Sequence, residues 1–168
     1  MRCDGFTMIE LVVTMAVAGI LFAVGLPSLL SMVQNNRLSG QASSLVFSLN
    51  YARSEAIKRN KSAGITVCAS STGAACTGTW ASGWIVLDPV APLVLLATPA
   101  LSNNNTLTSA ATTLTFNPDG SASAAATYTF CDSRGVAYAR DVEVSTLGSV
   151  QASQTPGKTV SGANIAGC

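Results

Sequence analysis

Gly5-Phe6-Thr7-Met8-Ile9-Glu10-Leu11-Val12-Val13-Thr14-Met15-Ala16-Val17-Ala18-Gly19-Ile20-Leu21-Phe22-Ala23-Val24-Gly25-Leu26-Pro27 is the stretch on which the reading of this chain turns. No charged side chain occurs from Leu11 to Asn36, and Leu11 to Leu26 is apolar apart from Thr14. With Phe6 to Ile9 ahead of it and Leu29-Leu30 beyond Pro27, the run can cross a bilayer core as a helix, which takes ~20 residues. A cleaved secretory signal would carry an apolar region of only about 7–15 residues ending in a small-residue site. The run here is longer and leads into more helix-like sequence, so a retained membrane helix is expected. Glu10 is the one charge inside it. A carboxylate near the centre of a span costs roughly 2.5–3.5 kcal/mol, so it needs an interfacial position or a partner. No Lys or Arg of the span can be that partner. A free α-amino group could, if the chain began near Phe6.

The same residues resemble the class III signal of type IV pilins and pseudopilins. That resemblance implies a prepilin peptidase that cuts after Gly5 and methylates the new N-terminal residue, Phe6. Residues 1–5 would then be a leader. Glu10 would pair with a neighbouring subunit's N-terminal amine during assembly, which supplies the partner that the physical argument lacked. Arg2 and Asp4 cancel, so the orientation rests on the resemblance rather than on positive charge. The implied location is a single pass through the inner membrane with the head in the periplasm, followed by incorporation into a filament. Residues 6–28 would serve first as anchor and later as packed filament core, with Gly19 and Gly25 allowing close helix approach. Pro27 removes a ladder hydrogen bond and crowds the preceding turn, marking a site of kinking or local melting.

Beyond Pro27 the pattern becomes amphipathic. Leu38, Ala42, Leu45, Leu49, Ala52 and Ala56 recur at helical spacing and form one apolar stripe. Gln41, Ser44, Ser48, Arg53 and Glu55 lie between them and suit an exposed side. Lys58, Arg59 and Lys61 then complement the helix dipole, and Gly64 ends the helix; the alternative is a basic patch for DNA or anionic lipid. The remainder reads as strands at 65–69, 83–88, 93–97, 112–116, 127–131 and 136–145. Asn117-Pro118-Asp119-Gly120 is a turn signal between two of them. Residues 101–111 and 121–126 read as surface loops, and 151–167 as a polar tail. The expected fold is α+β and type IV pilin-like. A long N-terminal helix, residues 6–28 and 29–63, packs its second half on an antiparallel sheet within a head formed by 64–168. No repeat and no second domain are found.

Composition narrows the chemistry. Of 168 residues, 10% are charged and 48% hydrophobic, at a mean hydropathy of +0.41, which excludes an intrinsically disordered chain. Nine Lys and Arg against eight Asp and Glu leave +1, so no global basic field exists to hold nucleic acid. Histidine is absent from the sequence, which removes the commonest general base and metal ligand. No Ser/His/Asp set, Gly-x-Ser-x-Gly or phosphate loop occurs, so no catalytic residue and no cofactor is assigned. Asp88 and Asp119 are read as turn residues. Without Cys3, which falls in the leader, Cys68, Cys76, Cys131 and Cys168 remain. An even number in an exported head argues for two disulfides. Three connectivities are open; Cys68–Cys76 closing a short loop and Cys131–Cys168 pinning the tail is favoured. A zinc site is disfavoured, since no Cys-x-x-Cys spacing and no His are present, and no metal is assigned.

Tyr51-Ala52-Arg53-Ser54-Glu55-Ala56-Ile57, Val67-Cys68, Cys76, Trp80-Ala81-Ser82-Gly83-Trp84-Ile85-Val86 and Cys131-Asp132-Ser133-Arg134-Gly135 further resemble the GspH/FimT branch of minor pilins and pseudopilins. Trp80 and Trp84 are read as core. FimT-like relatives include DNA receptors that use a Gly-Arg-x-Arg motif. The corresponding stretch here is Gly148-Ser149-Val150-Gln151, which lacks both arginines. Arg134, Arg140 and Lys158 are the residues from which a substitute DNA patch could be built. The expectation is a structural minor pilin of a type IV pilus, partnered by other pilins through its N-terminal helix. A type II secretion pseudopilin and a DNA-uptake receptor are the alternatives.

Overall fold

The structure is a computed structural model and describes residues 6–168; the expected leader, residues 1–5 with Cys3 and the cleavage residue Gly5, lies outside the described residues. One long helix, α1 (Met8–Arg59), precedes eight strands. These are β1 (Ile65–Ala69), β2 (Trp84–Asp88), β3 (Leu93–Thr98), β4 (Thr106–Thr108), β5 (Thr113–Phe116), β6 (Ala126–Cys131), β7 (Arg140–Val144) and β8 (Val150–Ala152). The helix is unbroken from Gly25 through Ser28. The chain divides into two compact units between Arg37 and Leu38. The unit that ends at Arg37 holds the apolar part of α1, most of whose described side chains are exposed, and includes a stretch long and apolar enough to cross a membrane.

The unit Leu38–Cys168 is built on the apolar stripe. Leu38, Leu45, Leu49, Ala52 and Ala56 are each at most 1% exposed, and they share one core with side chains from both sheets, among them Val67, Val86, Leu114, Tyr128, Phe130 and Val142. The second half of the helix therefore belongs to the head by packing, although in sequence the boundary falls at the helix end. Helix stability of this kind comes from burying an amphipathic face rather than from propensity.

Two four-stranded antiparallel sheets replace the single expected one, in the orders β3-β2-β1-β5 and β4-β6-β7-β8. The turn at residues 117–120 does form. Asn117 N–H donates to Ser121 O at 2.8 Å, and Ser123 N–H to Thr115 O at 2.8 Å. The hairpin is short, reaching the Phe116↔Ala122 bridge, while β5 pairs along its length with β1, from Ile65↔Phe116 to Cys68↔Thr113. Beyond that bridge the Ser/Ala run has no alternating apolar side chains to extend the ladder, and the next strand begins at Ala126, opposite Val144 of β7. Three further expectations are corrected. Residues 106–108 of the expected loop form β4 against β6. Residues 136–138 are a 3-10 turn, so β7 starts only at Arg140. Val150 to Ala152 pair with β7, so the tail begins after a strand.

Candidate functional site

At the start of α1, Thr7 and Glu10 hold each other. The Glu10 Oε2 accepts from the Thr7 backbone N–H at 3.0 Å and from its hydroxyl at 2.9 Å, while the Glu10 N–H donates to Thr7 Oγ1 at 3.3 Å. The Thr7 carbonyl accepts the first helical bond, from Leu11. Thr7-Met8-Ile9-Glu10 is thus a capping box, a Thr-x-x-Glu arrangement that satisfies orphan helix donors reciprocally. Phe6 and Glu10 are exposed. The carboxylate expected to meet a neighbour's amine already carries a local role, one the sequence reading had not assigned to it. An added Cβ at Gly19 or Gly25 would meet nothing within 4 Å, so both leave open surface on the helix.

In the head, Cys68 is bonded to Cys76, with Cα atoms 5.5 Å apart, and Cys131 to Cys168, at 5.7 Å. The second bond spans 37 positions and fastens the segment after β8 to the end of β6. Ile165 packs with Cys131 and Ala139 in a small satellite core, and the Val160 N–H donates to Glu143 Oε1 at 3.0 Å. The polar tail is therefore a strap held by a covalent bond, an apolar plug and a backbone bond.

Arg134, Arg140 and Lys158 all carry partners within the chain. Arg134 lies against the Asp132 carboxylate at 2.6 Å and over the Tyr138 ring at 4.1 Å. Arg140 donates to the carbonyls of Ser153 and Gln154, and Lys158 to Asn164 Oδ1 at 2.6 Å. Phosphate contacts would compete with each of these bonds. At Gly148 a fourth cation appears. Arg53 reaches from α1 to donate to Gly120 O at 2.9 Å and to Leu147 O at 3.4 Å. Gly148 has φ +78°, and a Cβ there would strike the Gly120 carbonyl oxygen, so the two turns meet only through glycine.

Two residues placed on the exposed side of the helix are buried. Ser48 accepts from the Trp84 indole N–H at 2.9 Å, which satisfies the polar edge of a buried ring. Glu55 binds Arg59 at 2.8 Å and Lys58 at 3.3 Å. Arg59 continues to Asp88 Oδ2 at 2.9 Å, which also takes Lys61 at 3.3 Å. Asp88 Oδ1 accepts from the N–H groups of Val90 and Ala91. Burial pushes the Asp88 carboxyl up, but the Val90 and Ala91 donors with Lys61 and Arg59 outweigh it and hold the group below its usual range. The Arg59 hydrogen bond likewise holds Glu55 low, against burial. The basic cluster thus ties the helix end to the β2–β3 turn, a link that no local pattern announces. Trp80 is core as expected, stacking edge-on to Tyr128 at 4.9 Å with its N–H on Ala111 O.

A protein-family model described as Type II transport protein GspH matches residues 41–148. This chain belongs to the GspH family. The prokaryotic N-terminal methylation motif matches residues 1–26 of this GspH-family chain. Among solved structures, the type IV minor pilin FimU of Pseudomonas aeruginosa strain PAO1 is similar in two crystal forms. One is 22% identical with a TM-score of 0.59, covering 74% of this chain and 98% of FimU; the other is 20% identical at 0.54, covering 78% and 99%. At these identities the likeness establishes the fold, a long helix packed on antiparallel sheets. No curated protein matches the chain. As a GspH-family pilin-like protein its role is structural rather than enzymatic, and the motif implies processing by a prepilin peptidase.

Proposed function

We propose that this protein is a minor pilin of a type IV pilus. Prepilin peptidase cuts after Gly5 and methylates Phe6, and the subunit waits in the inner membrane on residues 6–28 with its head in the periplasm. It then enters the filament as Glu10 meets a neighbour's N-terminal amine. The observation that carries this reading is the continuity of the methylation motif with one helix whose first part is apolar all round and whose second part is core to a folded head. The first part suits lipid and then identical helices; the second carries the cargo. Pro27 is the proposed point at which the helix yields on leaving the membrane.

A type II secretion pseudopilin is the second reading, favoured by the family description itself. In the first reading, immunoblots of sheared filaments contain the cleaved chain, and Gly5→Ala leaves it uncleaved and absent from them. The second reading wins if sheared pili lack the processed chain while its deletion blocks release of exoproteins. A DNA-uptake role would use Arg134, Arg140 and Lys158. It calls for an affinity that falls steeply with salt and weakens in the Arg134→Ala/Arg140→Ala double variant; unchanged affinity removes those residues from the account.

A further inference from the structure

In β7, Val142 and Val144 join the core and alternate with Asp141 and Glu143, which lie on the other face of the second sheet. Asp141 sits opposite Thr129 of β6, and Glu143 opposite Thr127. The two carboxyl groups are one rung apart, yet their surroundings differ. Glu143 is half-buried, lines a hollow of about 720 Å³ together with Val160, and accepts the Val160 N–H at 3.0 Å. Asp141 does not line that hollow. It is only 2% exposed, and among the described residues nothing donates to its Oδ1. A buried acceptor without a donor is uncommon and costly, most of all when it is charged.

The strap is bonded to the chain on either side of Asp141. Gly157 N–H donates to Ala139 O at 2.9 Å, and Val160 N–H to Glu143. Where the strap begins, Ser153 N–H donates to Asp141 O at 2.8 Å, and the Ser153 hydroxyl accepts the Asp141 N–H at 3.1 Å. The cations of this region are engaged elsewhere. Arg140 donates to the carbonyls of Ser153 and Gln154, Lys158 to Asn164, and Arg134 to Asp132. The neighbouring strand β6 and the start of the strap present Thr129 and Ser153, neither of them charged. The one charge one rung away on the same face is Glu143, of like sign. Burial, with Glu143 adding to it, pushes the Asp141 carboxyl above its usual range and outweighs the hydrogen bond from Thr129.

We propose that Asp141 makes the strap a proton-dependent latch, seated while the carboxyl holds its proton and lifting when it gives that proton to water. Ionised Asp141 needs donors that the closed strap does not supply, and the hollow brings solvent up to the Val160–Glu143 bond beside it. The Cys131–Cys168 bond keeps the end of the strap tethered, so lifting is local and reversible. The closed strap binds the Asp141 proton more readily than the open one. Its seating is therefore firmest below about pH 4, where both states hold the proton, and weakens as pH rises through the higher closed-state value. Asp88 and Glu55 act in the opposite sense at the far end of α1, since both are held low. The latch needs only the folded head and is independent of the assembly reading.

The test follows hydrogen exchange by NMR in the isotope-labelled full chain, oxidised and in detergent micelles, across the range from about pH 4 to about pH 8. Gly157 and Ile165 report on the strap through backbone acceptors that do not titrate, the carbonyls of Ala139 and Gly157. After correction for the base catalysis of exchange itself, their opening constant should rise by up to roughly ten-fold per pH unit and then level off, as one proton demands. In Asp141→Asn, which keeps the shape without the charge, the constant should be low and flat. The Asp141 side-chain carboxyl carbon, titrated in the unaltered protein, should show its midpoint above the ordinary aspartate value, and this readout stands even if the variant fails to fold. A flat opening constant in the wild type, the same rise in Asp141→Asn, or an Asp141 midpoint at or below the ordinary value overturns the proposal. So do strap amides that exchange no faster than those of Val67 and Val86 in the first sheet, because the strap would then open only when the head unfolds.

Discussion

Leu21 and Leu45 belong to one helix and meet opposite surroundings: Leu21 is 67% exposed and Leu45 fully buried. Up to Leu26, leucines, valines and methionines occur on every side of α1 with no polar face. From Leu38 onward the buried apolar residues form one stripe, and that stripe is part of the head's core. A helix apolar all round is made for lipid or for burial among other helices, whereas one with a single stripe is made for a folded domain. The change of pattern within one element marks the passage from an apolar stretch to a globular unit, and the compact units divide beyond it, between Arg37 and Leu38.

The sharpest way to break that contrast is to truncate one leucine in each part. Leu49→Ala should lower the head's stability by about 2–5 kcal/mol through lost burial and a cavity, while Leu21→Ala should leave the head's thermal transition where it was. Calorimetry of the full chain in detergent compares them, and equal losses would dissolve the distinction. Removing the strap bond should come next. Cys131→Ser with Cys168→Ser should cost ~2–4 kcal/mol, and about 1 kcal/mol more than the Cys68→Ser/Cys76→Ser pair, because the loop it closes is longer. Denaturant unfolding of the two double variants gives the order, and the reverse order would show that the strap adds little.

Gly148→Ala should destabilise by roughly 1–3 kcal/mol, since the new methyl meets the Gly120 carbonyl at a left-handed φ. Gly19→Ala, in open surface on the anchor, should leave the head unchanged. The smallest effect concerns pH. Asp88 and Glu55 have carboxyl pKa values below the usual range in the fold, so the folded state binds their protons less readily than the unfolded chain. Their contribution is present above the unfolded carboxylate pKa of about 4 and disappears as pH falls through the lower folded values. Asp88→Asn should therefore lower the melting temperature at neutral pH and flatten its fall with acid. An identical acid limb in the variant would remove Asp88 from the account.

Most of the fold could be read from local pattern. The helix, its change of character and six strands were marked by period and turn chemistry; the Thr7–Glu10 capping box came only with the structure. What escaped was short or non-local. β4 and β8 have three residues each, in polar surroundings, and exist because β6 and β7 offer them an edge. Ser48 reads as solvent-facing because its partner, Trp84, lies 36 positions away, and Glu55 because its helix neighbour Arg59 is drawn in by Asp88 from 29 positions away. The cations considered for DNA have carbonyl or carboxylate-type acceptors in the same chain, and charge counting carries no information about such neighbours.

The sequence by itself determined the anchor, the processing motif, the amphipathic switch and the supply of four cysteines for the head, because each depends on composition or on residues within a few positions of one another. The division of the strands into two sheets, the strap over the second sheet and the hollow at Glu143 were decided only by the tertiary structure. They depend on which edge captures which strand, and that choice is made by packing between residues far apart in the chain.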